Sequence, residues 1–70
     1  MNGHEFLRKL KGLAKDRKVQ AVYEPAHGKG SHGTVFYGGA HTTLKDPKKE
    51  IGPGLLGSMC RDLGIRRTDL

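Results

Sequence analysis

His32 sits in the run Gly30-Ser31-His32-Gly33. Its imidazole is the side chain whose charge changes nearest neutral pH, so it can take or give a proton at a reacting oxygen. Flanking glycines let a backbone approach an anion closely, and successive loop amides can form a concavity that holds phosphate. One reaction needs only these parts. A base takes the proton from a ribose 2′-hydroxyl of RNA, and the freed oxygen attacks the adjacent phosphodiester without a metal. Lys29, in the same run, could hold a phosphate oxygen or stabilise the charge developing on it. A solvated loop carrying a surface histidine and lysine has the same local sequence, and spacing alone does not choose between the two. The GxxxxGK[ST] spacing of a nucleotide-binding P-loop is absent.

The other chemistry-bearing side chains point less sharply. His4, His27, His41 and Cys60 invite a zinc site, but zinc ligands come in short pairs such as CxxC or HxxxH. Here His27 and His32 stand five apart across a loop, and Cys60 falls on an apolar helical stripe, so no metal and no cofactor is expected. His41 could be a second proton-transfer group across a hairpin, although an exposed strand residue is the plainer reading. Arg8, Lys11 and Lys15 fall on one flank of a helix at about 100° per residue. With Lys45, Lys48 and Lys49 they could track an RNA backbone. A solvated basic face, or one that meets an acidic protein, would have the same residues. Tyr23, Phe36 and Tyr37 could stack on unpaired bases, or fill a core.

These residues must be positioned by 70 residues, enough for one domain spanning 1–70 and one thin core. The formal net charge is +6 and the pI near 9.8, which favours phosphate-rich or acidic partners. Residues 1–18 carry six of the cations against only Glu5 and Asp16. A single cysteine excludes an internal disulfide, so a cytoplasmic, reducing setting is expected. No apolar run is long enough to span a membrane.

Phe6, Leu7, Leu10, Leu13 and Ala14 follow the helical period over about residues 3–16, with Asn2 and Glu5 spaced as a capping box. From Val19 to Glu24 the period becomes two, a strand that Pro25 ends. Residues 25–31 read as a loop. Thr34-Val35-Phe36-Tyr37 is a second strand, Gly38-Gly39 a two-residue hairpin signal because both glycines can take positive φ in a primed turn, and His41 to Leu44 a third strand. Either Val35 with Tyr37 or Thr34 with Phe36 could face the core. Pro53 opens a second helix whose stripe is Leu55, Leu56, Met59, Cys60 and Leu63. Gly64 is placed to cap it, with Ile65 folded back on Met59 and Cys60. Residues 66–70 are expected to fray. The order α-β-β-β-α predicts an α+β fold: a three-stranded antiparallel sheet with two helices on one face, as in double-stranded-RNA-binding domains (dsRBD-like).

Four runs together carry a family resemblance: Gly28-Lys29-Gly30-Ser31-His32-Gly33-Thr34, Thr42-Thr43-Leu44, Ile51-Gly52-Pro53-Gly54-Leu55-Leu56 and Leu63-Gly64-Ile65. In this order they resemble the HicA toxins, small mRNA interferases of type II toxin–antitoxin systems, over about residues 4–65. The resemblance implies a dsRBD-like fold, metal-independent endonuclease cleavage of mRNA that blocks translation, and a HicB-type antitoxin as partner. The family's functional histidine maps onto His32, with Lys29, Gly30 and Ser31 in the surrounding motif. Many members carry a bulky or aliphatic residue after the histidine; Gly33 stands here instead. Two other readings share the topology and charge: a non-catalytic RNA-binding module, and a protein-interaction domain for an acidic partner.

Overall fold

A computed structural model describes residues 1–25 and 32–70. Helix α1 (Gly3–Arg17) leads into strands β1 (Ala21–Glu24), β2 (Gly33–Tyr37) and β3 (Ala40–Leu44), followed by helix α2 (Pro53–Leu63). The three strands form one antiparallel sheet in the order β1-β2-β3. Phe6, Leu10 and Ala14 of α1 and Met59, Cys60 and Leu63 of α2 join Val35, Tyr37 and Leu44 in a single buried cluster. Both helices therefore cover one face of the sheet, and no described helix covers the other, open face. The α-β-β-β-α arrangement is the one the sequence pattern predicts.

Packing decides which side of β2 is inside. Val35 and Tyr37 are buried, whereas Phe36 stays 38% exposed. With β1 and β3 in register, the open face carries two cross-strand rows: Val22, Phe36 and His41, then Glu24, Thr34 and Thr43. Thr42 points the other way and is buried; its hydroxyl donates to the Asp62 carboxylate of α2 at 2.8 Å, tying that helix to β3.

The local signals are mostly honoured. The Asn2 side chain accepts from the Glu5 amide at 2.9 Å, but only this half of the capping box forms, since the Glu5 carboxylate turns to Lys9. Gly64 caps α2 in the left-handed region (φ 74°), and the Ile65 amide donates back to the Cys60 carbonyl, burying Ile65. The two-glycine hairpin forms a primed turn, with Gly38 at positive φ (58°), the signature of type II′. Three expectations are corrected. Val19 is not in β1: Lys18 takes a left-handed conformation (φ 58°) and the Val19 amide donates to the Ala14 carbonyl, so Val19 belongs to the cap of α1. Leu55 is 55% exposed, because it lies in the first turn of α2 and lines an open pocket of about 260 Å³ with Lys45, Lys49 and Ile51. The tail 66–70 is not frayed: Arg67–Asp69 forms a 3-10 turn, and Asp69 meets Arg17 at 3.1 Å. The Arg66 amide, donating to the Asp69 carboxylate, and the Arg17 charge beside it hold Asp69 below the usual carboxylate range.

Candidate functional site

The chain runs from α1 into β1 at the hairpin end of the sheet, where the Gly38 amide donates to the Gln20 carbonyl. The opposite end of the sheet holds Glu24, the start of β2, and the exit of β3 into Lys45. His32 stands there, exposed, immediately before Gly33. It shares the parity of Thr34 and Phe36, the residues of the open face. Gly33 pairs with Leu44, so His32 and Lys45 each lie one residue beyond the last pair of β2 and β3. Glu24, the last residue of β1, pairs with Thr34, two residues after His32 in the chain.

Gly33 is buried, and the space beside it is taken. A Cβ built there would lie 2.5 Å from the Tyr23 hydroxyl oxygen and 2.9 Å from the Leu44 carbonyl oxygen. Tyr23 reaches diagonally from β1 across the covered face and fills the volume that a larger residue after the histidine would occupy. The glycine at position 33 thus has a local packing reason, hinted at in the residues by an aromatic of the right parity in the neighbouring strand.

The other candidates separate. Arg8, Lys11 and Lys15 are exposed on the flank of α1 remote from its buried Phe6, Leu10 and Ala14. They therefore face away from the sheet, and share no face with the strand that follows His32. His41 is exposed on the open face with its ring centroid 6.1 Å from that of Phe36. It pairs with Phe36, four residues along the chain from His32 and roughly 13 Å away at strand rise, so the two imidazoles do not share one site. Tyr37 belongs to the core and Tyr23 is half-buried, leaving Phe36 as the exposed aromatic of the three. Cys60 is buried, and that burial pushes its thiol pKa up, which suits a core residue and not a reactive thiolate. Lys29, Gly30 and Ser31, together with His27 and Gly28, lie outside the described residues. Among the described residues no three His, Cys, Asp or Glu side chains group as metal ligands, and no helix is long and apolar enough to cross a membrane.

Sequence reasoning missed Glu24 and, as a partner of His32, Lys45. Both come to the His32 end of the sheet through strand register, which depends on where the hairpin turns. Comparison with protein-family models, with curated proteins and with solved structures finds no match.

Proposed function

We propose that this chain is an endoribonuclease that cleaves mRNA by attack of a ribose 2′-hydroxyl on the adjacent phosphodiester, with His32 transferring a proton. One observation carries the reading: His32 is exposed at the end of the sheet, immediately before β2, a strand whose open side no described helix covers. The net charge of +6 supplies long-range attraction for a polyanion. The motif resemblance extends the reading to a toxin of a type II toxin–antitoxin system, acting in the cytoplasm and held inactive by a HicB-type antitoxin over this end of the sheet. Lys29, Gly30 and Ser31 belong to the same motif and would contact the phosphate.

Wild type and His32→Ala, induced in a bacterial host, test it. Wild type arrests growth and degrades mRNA, leaving 2′,3′-cyclic phosphate ends. The variant loses about 10²–10⁴-fold in cleavage rate with an unchanged circular dichroism spectrum. EDTA leaves the rate unaltered, and RNA with the 2′-hydroxyl replaced by hydrogen at the cleavage point is inert. Equal cleavage by the folded variant would overturn the assignment.

The outward-facing stripe of Arg8, Lys11 and Lys15 favours a second reading, a non-catalytic module that grips an RNA backbone. Under it, His32→Ala changes nothing, while affinity for RNA falls steeply with salt and loses slope when the three cations are removed.

A further inference from the structure

Transfer to and from a 2′-hydroxyl takes two protons through two sites. One group must remove the hydrogen from the attacking oxygen, and another must protonate the oxygen that leaves. His32 alone can do one of these at a time. Resting on the ribonuclease reading, we propose that Glu24 is the second group. Its carboxylate takes the 2′-hydroxyl proton as general base, while the His32 imidazolium gives its proton to the leaving 5′-oxygen.

The geometry behind this is the cross-strand register. Glu24 and Thr34 are paired, and His32 stands two residues before Thr34, immediately outside β2, so Glu24 and His32 lie at the same end of the sheet. Both side chains are long enough to reach a phosphodiester bound between them. Lys45 follows Leu44, the partner of Gly33, and so brings to the same end a cation able to hold the non-bridging oxygens as negative charge grows on them. The ends of three adjacent strands thus bring a carboxylate, an imidazole and an ammonium to one end of the sheet. All three residues are exposed. The ion pairs of the described residues are Met1 with Glu50, Lys9 with Glu5 and Arg17 with Asp69, so none of them draws Glu24 or Lys45 away. Thr34 and Thr43, the other members of the row, are uncharged.

The step balances. The 2′-oxygen loses its proton to Glu24 and bonds to phosphorus. The bond from phosphorus to the 5′-oxygen breaks, and that oxygen leaves with the proton of His32. The products are a 2′,3′-cyclic phosphate and a 5′-hydroxyl, and solvent returns both side chains to their starting states.

Two substrates distinguish the roles. RNA needs both groups, whereas a ribonucleoside 3′-(4-nitrophenyl phosphate) has a leaving group that departs without protonation and needs only the base. Glu24→Gln keeps the size and hydrogen-bonding reach of the residue at an exposed site. It is expected to lose about 10²-fold or more on both substrates, and to lose the acidic limb of the bell-shaped pH–rate profile, with thermal stability unchanged. His32→Ala is expected to fail on RNA yet retain most of its rate on the aryl ester. If wild type cleaves RNA and Glu24→Gln matches its rate and pH profile, the assignment of Glu24 is overturned while the ribonuclease reading stands. If Glu24→Gln keeps the aryl-ester rate that His32→Ala loses, the two roles are reversed and the proposal falls. If wild type cleaves neither substrate, the ribonuclease reading itself falls, and Glu24 with it.

Discussion

On the covered side of the sheet, Val35, Tyr37, Thr42 and Leu44 are all at or below 8% exposed; on the open side Val22 and Phe36 are 43% and 38% exposed. The same three strands supply both sets, one residue apart. Two helices pack against the covered set, and the Thr42 hydroxyl within it donates to Asp62. The open set has no such partner within the described residues, and the polar groups gather at its His32 end. Stability is concentrated on one side and exposed chemistry on the other, so substitutions on the two sides should separate cleanly in their effects.

The largest expected effect tests the covered side. Phe6 is fully buried under α1, and Phe6→Ala should cost about 3–5 kcal/mol. A 70-residue domain has about 4–10 kcal/mol in total, so chemical denaturation should find this variant marginally folded or unfolded at 25 °C. A smaller effect is expected opposite. Phe36→Thr keeps a strand-favouring side chain and loses only the tilted contact with His41, so its stability should stay within about 1 kcal/mol of wild type in the same titration. A loss for Phe36→Thr as large as that for Phe6→Ala would break the contrast between the faces.

Much of this architecture was legible in the residues. Phe6, Leu10 and Ala14 at helical spacing, the alternation through Tyr23, the paired glycines and the Pro53–Gly64 bracket each state a local preference that the tertiary structure keeps. What was hidden depends on partners distant in sequence. Val35 and Phe36 are equally good strand residues, and only the helices packed above choose between them. Lys18 gives no warning of its left-handed turn, since a lysine there costs what a glycine would not; the cap forms because α1 must reverse into β1. The tail is held by Arg17, about fifty positions away, through Asp69. For the candidate site, His32 could be named from its glycines. Glu24 and Lys45 could not, because a strand pattern without its register does not say which residues are neighbours.

Tyr23 and Gly33 divide a single volume between two strands, and that makes their sizes interdependent. Gly33→Val alone should cost about 1–3 kcal/mol from overpacking, and Tyr23→Ala alone should leave a void. Together they should cost less than the two separate losses combined, by about 0.5–3 kcal/mol in a double-mutant cycle read by denaturant titration. The Leu44 carbonyl stands at the same corner, so removing the Tyr23 ring frees only part of the space that a side chain at position 33 would need.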